Sequence, residues 1–322
     1  MEERIHIVAC TDKWYVMPMG VMMQSVCVNN PDVDVTFHII IDDSVTDICR
    51  HDLEHIVEPF SGKSAVFYSA NNDILATNFP KGADRLNLTI VTYYRLFITE
   101  LLPHTIDKVL YLDGDIIVRH SLLPLWNYDL DNYAVAAVHD SICHQSWFYD
   151  RLRYPSQLGY FNAGVLLINL KYWREHAIMK DFLNYMQEHP EDIIMHDQDV
   201  LNVVLKDRKI LLPIKYNLNC GYIWKDPLYD VQKYEKEVLE ACQDPVIVHF
   251  TSGKPWESYK SHSHPFHSTF YKYQKQTIWK GKKIERRPLK MRIRNMYSDI
   301  LRLFNRIPPI RSYNFIKLKP ID

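Results

Sequence analysis

The residues best placed to do chemistry lie in Val109-Leu110-Tyr111-Leu112-Asp113-Gly114-Asp115-Ile116-Ile117-Val118, where an apolar run climbs to two carboxylates separated by one glycine and a second apolar run leaves. The first run reads as a buried strand. The acidic pair then falls at its carboxyl end, where open α/β sheets bind ligands. Carboxylates at i and i+2 can meet at one ion if the backbone turns, and Gly114 permits that turn. Two hard oxygen donors suit Mg²⁺ or Mn²⁺, a cation typically shared with a substrate phosphate. An isolated Asp-Gly-Asp is also ordinary solvated turn chemistry, so the rest of the chain decides.

The elements around the pair alternate. Arg4 to Cys10 reads as a first strand, Pro18 to Asn29 as a helix with proline near its start, and Val35 to Ile41 as a second strand. A helix from about Thr46 to Glu58 and a strand Ala65 to Tyr68 follow; residues 69–88 are irregular. Such alternation predicts parallel βαβ units. Ile90 to Leu102 reads as a helix carrying Arg95 and ended by Pro103. Beyond the pair, Tyr133 to Val138 is a strand, and residues 139–158, aromatic and polar without a period, read as a mobile loop or lid. Tyr160 to Leu170 is a buried strand with a polar head, Lys171 to Glu188 one amphipathic helix, and His196-Asp197-Gln198-Asp199 opens another helix. Val246 to Phe250 is the last strand, running into Thr251-Ser252-Gly253-Lys254-Pro255-Trp256.

Composition narrows the class. The 322 residues are 47% hydrophobic and 24% charged, which fits a soluble globular chain with a sizeable core. Nine glycines argue against repeated glycine-rich phosphate loops, and 21 tyrosines suit a carbohydrate or nucleotide site as well as a plain core. The six scattered cysteines show no Cys-x-x-Cys spacing, so neither a zinc site nor a disulfide framework is expected. With no basic-then-apolar leader and no apolar stretch near the roughly 20 residues of a membrane span, a cytoplasmic location is expected. The net charge of −1 hides a split: residues 272–322 hold 15 of the 38 Lys+Arg and 3 of the 39 Asp+Glu, a net +12, against −13 for residues 1–271.

Four motifs in order carry a resemblance: Tyr111-Leu112-Asp113-Gly114-Asp115, Tyr160-Phe161-Asn162-Ala163-Gly164-Val165, His196-Asp197-Gln198-Asp199 with Leu201-Asn202, and His249 with Gly253-Lys254-Pro255-Trp256. The chain resembles the family 8 retaining glycosyltransferases of the bacterial lipopolysaccharide galactosyl- and glucosyltransferase type, over roughly residues 4–260. The resemblance implies a GT-A fold, a Rossmann-like mixed sheet flanked by helices, over residues 1–271. It also implies transfer of a hexose from a UDP-sugar to a saccharide or glycolipid acceptor. Asp113, Asp115 and His249 would hold the metal, the imidazole favouring Mn²⁺ over Mg²⁺; taken alone, His249 is a satisfied core histidine. The implied nucleotide-sugar set is Cys10, Asp12, Tyr15, Arg95, Asp113, Gly114, Asn162, Gly253 and Lys254.

Within that set, Asp12 would hydrogen-bond the uracil and Tyr15 stack on it; without the resemblance they are a turn residue and a core aromatic. Arg95 would bond the donor or orient Asp113 or Asp197, or form a structural salt bridge. Asn162 would need partners for a buried amide, which sugar hydroxyls could supply. Lys254 can reach a phosphate as a point charge, or be a solvent-facing loop lysine. The family often has one further residue between this histidine and lysine. Asp197 matches the residue that grips the hexose, whereas Asp199, at a helix start, reads as a cap. Gln198 stands where the candidate nucleophile of the family falls, and a neutral amide is a poor nucleophile. Same-face attack through an oxocarbenium-like state is therefore expected, with Gln198 and Asp197 as its catalytic residues.

The tail is separate chemistry. Leu289, Ile293, Met296, Ile300, Leu303 and Phe304 share one helical face, with Lys290, Arg292, Arg294 and Arg302 elsewhere around it. A basic amphipathic helix within the tail 272–322 reads as docking on an anionic membrane surface at the inner face of the membrane; packing on the acidic body is the alternative. Nucleic-acid binding is not expected, since no recognition motif accompanies the charge. Three rival functions use similar parts. A nucleotidyltransferase would want a glycine-rich loop after the first strand, absent from Cys10-Thr11-Asp12-Lys13. A self-glycosylating primer would need an exposed acceptor tyrosine. A sugar-binding module would have no need of a leaving-group clamp.

Overall fold

A computed structural model of the chain describes residues 4–70, 90–142, 146–226, 228–257, 264–282, 306 and 313–314. The described strands are, in chain order, β1 (Arg4–Thr11), β2 (Asp34–Ile41), β3 (Lys63–Ser69), β4 (Lys108–Leu112), β5 (Ile116–Val118), β6 (Val135–His139), β7 (Phe161–Asn169), β8 (Lys209–Leu212), β9 (Leu218–Asn219) and β10 (Ile247–His249). Seven form one sheet in the order β3-β2-β1-β4-β7-β6-β8, and β5-β10-β9 form a second, small one. The parallel reading holds for β3-β2-β1-β4. It fails at β7, which runs antiparallel to both β4 and β6, giving the mixed sheet that the resemblance implies. An antiparallel neighbour needs no crossover helix, so the chain returns from β6 to β7 at the edge that β4 and β1 also end on.

Alternation along the strands splits the core between two faces. Ile5, Ile7 and Ala9 of β1 face the helix Val16–Asn29, whose Met19, Met22, Met23 and Val26 are buried. Val8 and Cys10 face the other way, with Val109 and Tyr111 of β4, onto the segment from Val91 to Ile98 and the buried Phe182 and Met186. β1 pairs with β2 on one side and β4 on the other. The connections therefore diverge there, and a crevice opens at the carboxyl ends of β1 and β4.

Several expected elements differ in detail. Ile90–Phe97 is a 3-10 helix followed by the short α-helix Ile98–Leu101. The single helix expected over Lys171–Glu188 is two, Leu170–Glu175 and Ile178–Glu188, broken where Ala177 takes φ 49°. The expected loop over 139–158 contains the helix Ser146–Leu152 and the 3-10 turn Ser156–Leu158. Phe148, Tyr149, Leu152, Tyr154 and Tyr160 bury one another there in a small core of their own. β8, β9 and the helix Val231–Gln243 were not read from the sequence.

The amphipathic face from Leu289 to Phe304 lies outside the described residues, as does most of the irregular stretch 69–88. The helix His267–Gln274 runs across position 271. Tyr313 bridges to Trp224, is buried beside His264, and directs its hydroxyl to the Ser252 carbonyl at 3.3 Å. At that point the tail packs on the body. Among the described residues no helix is long and apolar enough to cross a membrane.

Candidate active site

A cleft of about 420 Å³ opens at the carboxyl ends of β1 and β4, lined among others by Cys10, Asp12, Tyr15, Arg95, Asp113, Gly114, Asp115, Asn162, Asp197, Gln198, His249 and Lys254. Of the residues expected at the site, only Gly253 does not line it. Its φ of +65° turns the chain between His249 and Lys254, and an added Cβ would lie 2.6 Å from the Tyr313 hydroxyl oxygen. Gly114 is not in the left-handed region, so the turn between the two aspartates does not depend on glycine. An added Cβ there would reach Tyr15 at 3.4 Å, a close contact under the Tyr15 ring.

The small sheet explains how distant residues meet. β10 is antiparallel to β5, with His249 opposite Ile116, and parallel to β9, with His249 opposite Asn219. The Phe250 N–H donates to the Asp115 carbonyl at 2.9 Å. His249 Nε2 therefore stands 3.2 Å from Asp115 Oδ1 and 3.7 Å from Asp113 Oδ2. One donor atom from each of the three lies within 4.8 Å of the others.

The orientation of His249 follows from a chain of amides. The Gly164 N–H donates to Asn162 Oδ1 at 3.0 Å, which fixes that amide and turns its Nδ2 to Asp140 Oδ2 at 2.9 Å. That leaves Asn162 Oδ1 to accept from Asn217 Nδ2 at 2.8 Å. Asn217 Oδ1 must then accept from His249 Nδ1 at 3.0 Å. Nδ1 therefore carries a proton, and Nε2 is the ring nitrogen aimed at the two carboxylates, the one a metal would take. The residues fit a divalent cation. Gly164 keeps the floor open: an added Cβ would lie 2.2 Å from His249 Cε1 and 2.9 Å from Asp113 Oδ2.

Charges around the pair are balanced from two sides. Arg95 donates from Nη2 to Asp113 Oδ1 at 2.9 Å and from Nη1 to the Ala163 carbonyl at 2.7 Å, and stacks over Tyr111. The Tyr111 hydroxyl also donates to Asp113 Oδ1 at 2.9 Å. Arg95 Nε lies 3.0 Å from Asp197 Oδ2, but its N–H is given to the Thr92 carbonyl at 3.1 Å. Asp197 Oδ2 thus has a charge beside it and no hydrogen-bond donor. Burial, only partly offset by Arg95, pushes the Asp197 carboxyl up to about 7. Arg95 serves both Asp113 and Asp197, so the two alternatives for it are one arrangement.

Lys254 Nζ lies 2.7 Å from Asp115 Oδ2 and also donates to the Tyr15 hydroxyl. The shorter loop still delivers the lysine. Burial pushes the Asp115 carboxyl up, but Lys254 and then His249 outweigh it and hold it below the usual carboxylate range. Burial pushes the Cys10 thiol and the Tyr15 hydroxyl each up to about 12, leaving both neutral. Asp12 Oδ1 accepts from the Trp14 and Tyr15 N–H groups at 2.9 and 3.1 Å. The turn role is real, and Oδ2 remains for a ligand.

At the other end, Gln198 is locked. Its Oε1 accepts from the Ala163 N–H at 3.0 Å and from Asn162 Nδ2 at 3.3 Å, and its Nε2 donates to Asp140 Oδ2 at 3.1 Å. The turn that aims it is strained: His196 has φ 55° and ψ −132°, at a cost of about 1–3 kcal/mol for a residue with a side chain. Asp199 does not cap the helix Asp197–Val204. It lies inside it, and its carboxylate reaches back to the Ile194 and Met195 N–H groups and to Arg151. Asn217, Asp140 and the packing role of Gly164 were not singled out from the sequence.

The sequence profile of glycosyl transferase family 8 matches residues 6–260, and the chain belongs to that family. It is 28% identical over 282 residues to general stress protein A of Bacillus subtilis (strain 168), covering 86% of this chain and 96% of that one. It is 29% identical over 268 residues to the lipopolysaccharide 1,2-glucosyltransferase of Escherichia coli (strain K12), covering 80% and 74%. Among solved structures, the galactosyltransferase LgtC in complex with donor and acceptor sugar analogs matches with a TM-score of 0.72 and 27% identity, over 89% of this chain and 99% of that one. The fold is GT-A, and the protein is a glycosyltransferase.

Proposed function

We propose that the protein moves a hexose, glucose or galactose, from a UDP-sugar to a saccharide or glycolipid acceptor with retention of anomeric configuration, in the synthesis of lipopolysaccharide or a related surface polysaccharide. The observation that carries this reading is the convergence of Asp113, Asp115 and His249, with His249 Nε2 turned toward the carboxylates through the Nδ1 bond to Asn217. The relatives support a saccharide product. One is named a lipopolysaccharide glucosyltransferase, and the LgtC complex holds donor and acceptor sugar analogs.

In this reading Tyr15 stacks on the uracil and Asp12 Oδ2 hydrogen-bonds it. Asp113, Asp115 and His249 would hold Mn²⁺, or Mg²⁺, which when bound stabilises the charge on the departing diphosphate as a Lewis acid. Lys254 turns its ammonium from Asp115 toward a phosphate oxygen. Asp197 Oδ2, charged on one side and without a donor, takes a hexose hydroxyl. The acceptor hydroxyl attacks the face that the diphosphate leaves, the bond from anomeric carbon to phosphate oxygen breaks, and that phosphate oxygen takes the hydroxyl proton. Gln198, a neutral amide with its oxygen already holding two donors, offsets positive character at the anomeric carbon by its dipole rather than by a bond.

The test is purified protein with a panel of nucleotide sugars, with Mn²⁺ and with chelator. Metal-dependent release of UDP from one hexose donor is expected and names the sugar. A folded protein that binds no UDP-sugar overturns the reading, and a glycosyl adduct trapped on Gln198 or Asp197 overturns the same-face route. We further infer that residues 272–322 serve the catalytic unit of 1–271 as a basic arm for an anionic membrane surface on the cytoplasmic side, where glycolipid acceptors are extended. The net +12 of that segment supports it, each basic residue near such a surface contributing about 1 kcal/mol. Co-sedimentation with anionic but not neutral vesicles, weakened by salt, is expected; equal recovery with both counts against the arm.

A further inference from the structure

Behind the hexose end of the cleft lies an ion pair that the transfer chemistry does not use. Arg151, on the helix Ser146–Leu152, closes a fork on Asp199, Nη1 to Oδ2 at 2.7 Å and Nη2 to Oδ1 at 3.0 Å. The Asp199 side chain is fully buried and that of Arg151 nearly so. The same carboxylate accepts from the Tyr160 hydroxyl at 2.8 Å and from the N–H groups of Ile194 and Met195 at 2.7 and 2.6 Å. Arg151 also donates to the Asp192 carbonyl.

These bonds converge on a stretch of backbone that would not hold its shape unaided. Met195 lines the cleft, His196 has φ 55°, and Asp197 and Gln198 follow directly. Asp199 sits beyond the strained residue and grips the two N–H groups before it, so it braces the turn from both sides. A buried carboxylate is costly without a cation to balance it, and Arg151 is that cation.

We propose that Arg151 is a positioning residue for hexose recognition. Through its fork on Asp199 it holds the Met195–His196 turn in the conformation that presents Asp197 and Gln198 to the cleft. Arg151 touches no substrate; Asp197 and Gln198 do. The proposal rests on the cleft being a UDP-hexose site, and it separates two parts of donor recognition. Loosening the fork releases the hexose end and leaves the nucleotide end, at Asp12 and Tyr15, intact.

Two variants test it. Arg151→Lys keeps the charge and removes the fork; Tyr160→Phe removes one donor to Asp199 and keeps the ring. The readouts, on the full chain with Mn²⁺, are Kd for UDP, Kd for the UDP-hexose, kcat and Tm. For Arg151→Lys we expect UDP binding within about 2-fold of wild type, loss of the extra affinity for UDP-hexose over UDP, and kcat lower by roughly 10–100-fold, the order that a misplacement of about 1 Å costs. Tyr160→Phe should move the same quantities less. A lower Tm with an unchanged ratio of the two affinities and unchanged kcat means a structural role only, and overturns the proposal. Should Arg151→Lys fail to fold, the same result in Tyr160→Phe overturns it. If the wild-type protein binds no UDP-sugar, the reading of the cleft fails first, and the proposal with it.

Discussion

Asn217→Ala removes the acceptor that holds the His249 Nδ1 proton. The ring is then free to carry its proton on Nε2, where the proposed cation would bind. Affinity for Mn²⁺ is expected to fall about 10–100-fold, the usual cost of losing such a partner, as read by metal titration against a chelated control. Gly164→Ala acts on the same atoms from the opposite side. A Cβ 2.2 Å from His249 Cε1 must displace the ring, so metal binding should be lost while far-UV circular dichroism is retained. Asp113 and Asp115 were legible because they follow an apolar run that reads as a strand; His249 and Lys254 came only with the family resemblance, since His249 alone reads as a core histidine and its strand lies in the small sheet. Asn217 was not legible. It precedes a two-residue strand in a stretch without period, and its importance comes from partners on β7 and β10 that only the fold brings together.

At the scale of elements, the helix Val231–Gln243 begins at Asp230, whose side chain accepts from the Lys233 N–H at 3.2 Å. Asp230→Ala should cost about 0.5–2 kcal/mol, measured by urea denaturation with donor hydrolysis unchanged. β1, β2 and β4 were read nearly whole, because both their faces are buried and their runs are largely apolar, whereas the edge strand β3, exposed or half-buried along its length, was read only from Ala65 to Tyr68. The broken helix was misread for a visible reason. Its buried positions are Leu170 and Trp173, then Ile178, Phe182 and Met186. The step of five between Trp173 and Ile178 cannot stay on one face of a helix with 3.6 residues per turn, and the left-handed Ala177 absorbs it. The segment 139–158 hid its helix because its apolar residues pack chiefly on one another, which leaves no stripe aimed at the main core.

For the whole molecule, acid should be destabilising well above the ordinary carboxylate range. Burial pushes His38 down to about 4 and His264 down to about 3. An unfolded histidine titrates near 6.5, so as pH falls the unfolded chain takes these protons first. The stabilisation is complete above about pH 6.5 and is lost progressively toward 4 and 3. Asp197 works in the opposite sense. Its carboxyl, raised to about 7, is protonated first in the folded state, which offsets part of the loss between 7 and the ordinary 3.8. With two histidines against one aspartate, Tm in chelator should fall from pH 7 to pH 4. His264→Asn, which keeps an acceptor for the Phe266 N–H, should flatten the fall.

The pairing of β5 with β10 also sets a timetable. Asp115 and His249 are roughly 130 residues apart, and at about 5–20 residues per second a ribosome takes on the order of ten seconds to pass from one to the other. During that interval the nascent chain has its first aspartates and its nucleotide-side residues, but not the strand that brings the imidazole. A chain stopped short of residue 249 lacks one of the three donors and also the lysine that follows. If the cleft is the proposed nucleotide-sugar site, prematurely ended copies should therefore be unable to cleave the donor, and activity waits on the last strand.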